Sequence, residues 1–80
     1  MTRVEIFDAL NEVFREVFDD STLQVGENTT SSDIDGWDSL VHITLIAEIE
    51  DAFGIRIKMS DALHMKNTGE LIDVISALAK

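Results

Sequence analysis

The segment DGWDSL, residues 35–40, leads into a helical pattern at the centre of the chain. Its glycine supplies a turn, and Asp38 and Ser39 follow where apolar residues begin to recur at helical spacing. A helix N-terminus exposes unpaired backbone N–H groups and a partial positive charge, so a phosphate attached there is favoured. Ser39 is therefore a candidate phosphate attachment point, although Asp38 or Ser39 can equally serve as a helix cap.

Helical periodicity extends to both sides of this segment. The second helix is predicted from about Ser39 to Phe53, and Gly54 stops it so that Ile55 folds back onto Ile49. Its expected inward stripe carries Leu45 at the edge and otherwise consists of Leu40, Ile43, Ile46, Ile49 and Phe53.

The first helix is predicted to start near Arg3, because Thr2 and Glu5 have the spacing of a capping box, and to end at residues 19–21. Its apolar stripe contains Ile6, Phe7, Leu10, Val13, Phe14, Val17 and Phe18. Residues 19–37 then form a long loop, which we expect Leu23, Val25 and Ile34 to anchor in the core.

Two helical segments complete the chain. A short turn is predicted near residues 60–65, and Asn67 with Glu70 forms a capping box for the last helix. That helix is predicted to turn Leu71, Ile72, Val74, Ile75 and Leu78 inward. The expected fold is all-α, a single domain over residues 1–80 in which three main helices and one short helix form a four-helix bundle.

Composition restricts the function before any motif is considered. The 80 residues carry 16 acids against 6 bases, a net charge of −10, and no cysteine. Such a surface repels nucleic acid and anionic membranes and attracts basic protein patches. Any thiol must come from an added group, and disulfides and thiolate metal sites are excluded. No signal-peptide pattern or membrane-length apolar run is present, so we expect a cytoplasmic location, no membrane insertion and a monomer.

The tripeptide at 38–40, with Gly36 before it, resembles the phosphopantetheine attachment motif of acyl carrier proteins. The resemblance covers nearly the whole chain. It includes the loop residues 33–35, the helix end at 53–55 and the final helix at 71–78, all in the family's order and spacing. Read this way, the chain carries acyl groups and performs no catalysis of its own.

The resemblance implies a role for each residue of the motif. Ser39 would supply the hydroxyl that takes 4'-phosphopantetheine from coenzyme A inside a separate phosphopantetheinyl transferase. Asp38 would cap the helix, help to hold the transferase's magnesium ion, or both. Leu40 would lie at the edge of the docking surface or pack in the core. No metal site of the chain's own is expected, since the acids at 33, 35 and 38 do not fit the EF-hand template.

The thiol of the arm would carry acyl groups as thioesters between acyl-loading and acyl-processing enzymes. An apolar cleft between the helices of a bundle could take the acyl chain. The candidate lining residues are Ile43, Ile46, Phe53, Ile57, Leu63, Leu71 and Ile75. Each of these is also a good core residue.

The predicted partner surface departs from carriers of fatty acid synthesis. Trp37, Val41 and Thr44 form a neutral patch beside Ser39, and acidity returns at Glu48 and Asp51. These departures favour a specialised pathway, whether of fatty acid, polyketide or another acyl type. His42, one turn after Ser39, is interpreted as a solvated surface histidine rather than a contact of the arm's phosphate. His64 is interpreted as local packing beside Met65.

Two other functions stay open. A peptidyl or aminoacyl carrier would use the same motif with different cargo. An unmodified acidic adaptor would bind a basic partner and would not need Ser39. No paired acid and base or nucleophile–histidine set points to an enzyme.

Overall fold

The computed structural model describes residues 1–79, and every regular element in that range is helical. The elements are α1 (Arg3–Val17), α2 (Ser39–Phe53), α3 (Met59–Leu63) and α4 (Thr68–Leu78), with a one-turn 3-10 helix at Ser31–Asp33 in the loop after α1. The predicted all-α fold with three main helices and one short helix is confirmed. None of the described helices has the length and apolar character needed to cross a membrane.

The start of α1 is fixed by local hydrogen bonds, as predicted. The Thr2 hydroxyl accepts from the backbone N–H of Glu5, and the Glu5 carboxylate accepts from the backbone N–H of Thr2. Of its predicted stripe, four residues are buried and three are partly buried against the core. The buried four are Ile6, Leu10, Val13 and Phe14.

The second helix has the predicted bounds, but its buried face is shifted: Ile46, Ile49 and Phe53 of the predicted stripe pack in or against the core, whereas Leu40 and Ile43 do not. Leu45, predicted at the edge of the stripe, is 0% exposed, as is Ile49 one turn later. Leu40 and Ile43, both predicted on the buried stripe, are 76% and 53% exposed. The helix is apolar around much of its circumference, so its spacing does not select a face. Packing of α1 against it makes that selection.

The long loop is anchored as expected. Val25 is 4% exposed, and Leu23 and Ile34 pack partly buried against the core. The buried Asn11 side chain contributes, because its Oδ1 accepts from the backbone N–H of Val25 at 2.7 Å. The buried backbone N–H of Val25 is therefore hydrogen-bonded even though it lies outside any helix or strand.

The same loop also docks on the start of α4. The backbone N–H and the hydroxyl of the buried Thr68 both donate to the carbonyl of Thr29, at 2.8 and 3.0 Å. The next residue, Gly69, donates its N–H to the Glu27 carbonyl at 2.8 Å. A Cβ at position 69 would lie 2.6 Å from that carbonyl oxygen, so the close approach requires glycine.

Three details of the C-terminal half differ from prediction. The short helix covers Met59–Leu63, slightly before the predicted turn. Only half of the predicted capping box at α4 forms. The Asn67 side chain accepts from the backbone N–H of Glu70, but the Glu70 carboxylate accepts from the backbone N–H of Lys66 and not from that of Asn67. Leu78, predicted to face inward, is 47% exposed in the last turn of α4, whereas the next residue, Ala79, packs against the core.

Arg3 ties the start of α1 to the loop and to α4. Its guanidinium donates to Glu27 at 2.6 and 2.8 Å and to Asp73 at 2.9 Å. Donation of hydrogen bonds to Glu27, and secondly to Asp73, raises the pKa of Arg3, and the hydrogen bond from Arg3 lowers the pKa of the Glu27 carboxyl. All three side chains are solvent-accessible, so this network orients elements more than it stabilises them.

Candidate functional site

The first turn of α2 presents Ser39 to solvent. Gly36 adopts a positive φ of 85° and reverses the chain before the helix. Asp38 is the N-cap, and its Oδ1 accepts from the backbone N–H of Val41 at 2.9 Å. Ser39 is therefore the first helical residue, and it is exposed. The capping role predicted for Asp38 is confirmed.

Trp37 is half-buried, and its ring belongs to an aromatic cluster. It meets Phe14 edge-on with ring centroids 5.3 Å apart, and it meets Phe18 at 6.0 Å. Such edge-to-face pairs are among the preferred aromatic arrangements. The cluster fixes the turn before Ser39 to the end of α1, so only part of the Trp37 ring is left for the partner contact that the sequence predicted.

His42 is not a solvated surface histidine, and that interpretation was wrong. The indole N–H of Trp37 lies 3.0 Å from its Nδ1, and its Nε2 lies 2.7 Å from the carbonyl oxygen of Ala62. An indole N–H can only donate, so Nδ1 accepts and the imidazole carries its proton on Nε2. That proton is donated to Ala62. His42 thus links the turn before Ser39, α2 and α3.

A cleft of about 300 Å³ opens beside Ser39 between α2, α3 and the start of α4. Its walls are mixed. The apolar lining residues are Trp37, Ile43, Ala62, Leu63, Met65 and Leu71, and the polar ones are Thr30, Ser31, Asp38, Ser39, His42, Lys66, Asn67 and Thr68. A second cleft, of about 140 Å³, lies farther along α2 and α3.

The two clefts account for part of the predicted lining. Ile43 and Leu63 line both, Leu71 lines the first, and Ile46 and Ile57 line the second. Phe53 and Ile75 line neither, and for these two the prediction was wrong. Ile75 is fully buried and Phe53 packs against the core, so each takes the core position that the sequence offered as its alternative.

The remaining predicted contacts lie on the surface of α2. Thr44, Glu48 and Asp51 are exposed, and Val41 is partly exposed. Leu40, at 76% exposure, is excluded from the core, so the core position that the sequence offered as one of its two alternatives does not hold. The structure places all five of these side chains on the helix that begins with Ser39.

The sequence did not identify the wall of the cleft that faces α2. Met65, Lys66 and Asn67 line it from the connection between α3 and α4, and Thr68 lines it from the start of α4. Their local signals indicate only a helix cap, and their place beside Ser39 depends on the docking of α4 against the long loop.

Comparison with known proteins identifies the family. The profile described as the phosphopantetheine attachment site matches residues 8–75. Acyl carrier proteins from several serotypes of Streptococcus pyogenes are 33% identical over 75 residues, which cover 94% of this chain and 97% of each relative. The chain belongs to the acyl carrier protein family. An acyl carrier protein from Lactobacillus johnsonii is 28% identical over 78 residues, or 96% of each chain.

A solved acyl carrier protein has the same fold. The solution NMR structure of the holo acyl carrier protein from Geobacter metallireducens matches with a TM-score of 0.82 and 38% identity, covering 89% of this chain and 82% of that one. As a member of the family, this chain is a carrier and not an enzyme, and it holds phosphopantetheine covalently. Family membership also implies a phosphopantetheinyl transferase and acyl-processing enzymes as partners.

Proposed function

We propose that Ser39 is the residue that bears the phosphopantetheine arm. The observation that carries this proposal is the position of Ser39. Its hydroxyl lies at the exposed N-terminus of a 15-residue helix, directly beside the cleft of about 300 Å³. A phosphodiester at this position meets the positive end of the helix dipole, and the adjoining cleft can take what the arm carries.

Asp38 has a second proposed role next to this hydroxyl. One of its carboxylate oxygens caps α2. Its exposed carboxylate remains a candidate contact for the magnesium ion of the transferase, since magnesium prefers oxygen ligands. During transfer the Ser39 oxygen would form a bond to the phosphorus that bears pantetheine, its proton would leave, and the bond to the adenosine-side phosphate would break.

Intact mass tests the attachment residue. The protein is incubated with coenzyme A, magnesium and a broad-range phosphopantetheinyl transferase, alongside Ser39→Ala and the control Ser32→Ala. Ser32 is also exposed but lies outside the cleft. We expect wild type and Ser32→Ala to gain one phosphopantetheine and Ser39→Ala to gain none. Modification of a folded Ser39→Ala variant would overturn the assignment.

We also propose a specialised acyl pathway, with fatty acid, polyketide or another acyl cargo, for a single carrier domain spanning residues 1–80. The support comes from α2, where exposed Leu40, Ile43 and Thr44 stand near Ser39 and the acids Glu48 and Asp51 follow. A partner that fits this surface presents an apolar contact near its pantetheine channel and basic residues farther away. We further propose that the carrier acts as a cytoplasmic monomer.

Salt dependence of partner binding tests this surface. For a cognate acyl-loading enzyme, Leu40→Ala should weaken binding equally at low and high salt, because the lost contact is apolar. The pair Glu48→Gln and Asp51→Asn should weaken binding mainly at low salt, since exposed charges are screened within about 8 Å at physiological ionic strength. If Leu40→Ala has no effect, the apolar contact is not part of the interface.

Loading assays separate acyl cargo from aminoacyl cargo. The holo protein is offered to acyl-activating and aminoacyl-activating enzymes, and the thioester is detected by mass. The mostly apolar wall that α2 and α3 contribute favours acyl cargo. If only aminoacyl groups are loaded, the peptidyl carrier alternative is correct. If Ser39→Ala leaves biological function intact, the acidic adaptor alternative replaces both.

A further inference from the structure

The two clefts between α2 and α3 share a wall. Four residues line both of them: His42 and Ile43 from α2, and Ala62 and Leu63 from α3. The first cleft opens at Ser39, and the second continues along the same two helices toward Glu50 and Ile57. The passage from the first cleft to the second lies between these four residues.

A hydrogen bond lies across that passage. The Nε2–H of His42 donates to the carbonyl oxygen of Ala62 at 2.7 Å and joins α2 to α3. Ala62 is 3% exposed, so its carbonyl has little access to water as a replacement partner. A chain that displaces the imidazole leaves a buried carbonyl without a hydrogen bond, which is an unfavourable state.

Trp37 holds the imidazole in this orientation. Its indole N–H donates to Nδ1 at 3.0 Å, and the two rings stack with centroids 5.9 Å apart. The indole is itself fixed by Phe14 and Phe18. The bond to Ala62 is therefore supported from the core and does not depend on a freely rotating surface side chain.

We propose that the bond between His42 and Ala62 is a partition that limits the length of the acyl chain this carrier can shelter. His42 is the specificity-determining residue, and Trp37 is the residue that positions it. This inference rests on the proposed acyl cargo of Ser39. A short chain occupies the first cleft with the partition intact, whereas the end of a longer chain stays in solvent.

Thioester protection measures this limit. Holo protein is loaded with butanoyl, hexanoyl, octanoyl, decanoyl and dodecanoyl groups, and cleavage by hydroxylamine is compared with that of the same free acyl-pantetheine. A chain inside the cleft withholds its thioester from attack. Each added methylene that is buried should increase protection up to about fourfold, the factor that methylene burial supplies. In the wild type we expect protection to increase with chain length among the shorter acyl groups and then to reach a plateau.

The His42→Val variant removes the hydrogen bond that forms the partition and replaces the imidazole with a smaller, apolar side chain. We expect it to move the plateau to longer chains, with up to about fifteenfold more protection of the longest chain than in the wild type, as for two further buried methylenes. The matched control is His64→Val. His64 is an exposed histidine of the same region. Among residues 1–79 its ring bonds only the carbonyl of Ser60, and it lines neither cleft. Its profile should match the wild type.

Several results would overturn the proposal. Protection that rises across the whole series in the wild type would show that nothing limits the chain. An identical plateau in wild type and folded His42→Val would show that His42 does not set it. Protection at no length would show that the first cleft is not used. Because intact mass establishes the arm on Ser39 beforehand, each of these outcomes leaves the attachment proposal standing.

A measurement on the wild type covers the case in which His42→Val does not fold. Nitrogen-15 NMR of the imidazole reports whether Nε2 keeps its proton and its hydrogen bond. We expect the bond to persist in the holo, butanoyl and dodecanoyl forms alike, since long chains remain outside. Loss of the bond only in well-protected long-chain forms would overturn the partition.

Discussion

The two sides of α2 are built differently. On the closed side, where α1 packs against α2, Leu10, Phe14, Leu45 and Ile49 are 0% exposed. On the open side, where α3 is the partner, Ile43, Met59 and Leu63 are more than half exposed and two clefts remain. Because Ser39 and the walls of both clefts lie on the open side, the core can be stable while this part of the site stays accessible.

Helix length explains the difference. At 1.5 Å per residue, the 15 residues of α1 span about 22 Å and can cover α2, which has the same length. The 5 residues of α3 span about 7.5 Å, so α3 covers only part of that side. What α3 leaves uncovered is the space of the two clefts.

Truncating one buried and one exposed aliphatic residue of α2 should give the largest contrast. Leu45→Ala should lower the free energy of unfolding by about 2–5 kcal/mol, because it leaves a cavity in the closed side. Ile43→Ala, on the open side, should cost less than about 1 kcal/mol. Urea unfolding followed by circular dichroism measures both. Equal losses would contradict the division into a closed and an open side.

A glycine pair tests the docking of the loop on α4. Gly69→Ala should cost about 1–3 kcal/mol, since the added Cβ would lie 2.6 Å from the Glu27 carbonyl oxygen. Gly26→Ala is the control. Its Cβ would meet only the Thr29 hydroxyl at 3.9 Å, and its stability should change by no more than about 0.5 kcal/mol.

Thermal unfolding of both glycine variants provides the comparison. If Gly69→Ala is as stable as Gly26→Ala, the loop does not approach α4 as closely as described. The same result would place the wall formed by Thr30 and Ser31 farther from Ser39.

Removal of the N-cap of α2 should have a smaller effect on stability. Asp38→Ala should lower the free energy of unfolding by about 1 kcal/mol, because the N–H of Val41 loses its acceptor. Asp35→Ala, an exposed acid of the preceding turn, is the control and should change stability little. Urea midpoints measure both. Equal stability of the two variants would mean that the Asp38 cap does not stabilise α2.

The pH dependence of the Arg3 network should be the smallest effect. The hydrogen bond from Arg3 holds the pKa of the Glu27 carboxyl below its usual value of 4.5. A group with a lowered folded pKa contributes stability above its unfolded pKa and loses it as the pH falls through the folded pKa. The advantage of wild type over Glu27→Gln should therefore be constant near neutral pH and decrease below about pH 4.5.

Melting temperatures from pH 7 to pH 3 test this dependence. Glu48→Gln serves as the control, because Glu48 forms no ion pair among residues 1–79. An advantage of wild type over Glu27→Gln that persists unchanged at pH 3 would show that the ion pair does not contribute in this way.

Local signals in the sequence were enough to place the helices. The box at Thr2 and Glu5, the cap at Asp38 and the left-handed Gly54 each act within one turn, and each set an observed boundary. The buried face of α2 could not be read in the same way. Its apolar residues surround most of the helix, and only contact with α1 decides that Leu45 is inside and Leu40 outside.

The same distinction between local signals and long-range contacts applies to the candidate site. The position of Ser39 at the start of α2 and the cap formed by Asp38 could be predicted because their signal is contiguous in sequence. The environment of His42 could not, because its acceptor at Ala62 is 20 residues away and becomes a neighbour only when α3 packs. Nothing in an isolated histidine at this position distinguishes a hydrogen-bonded bridge from a solvated side chain.

Trp37 is the only tryptophan of the chain. Its indole stacks on an imidazole and lines the cleft two residues before the proposed attachment serine. The protein therefore contains a single intrinsic tryptophan fluorophore, and its emission reports on this one position. Arrival of the arm, entry of a cargo and departure to a partner enzyme can each be followed in real time by fluorescence, without a dye attached to the molecule.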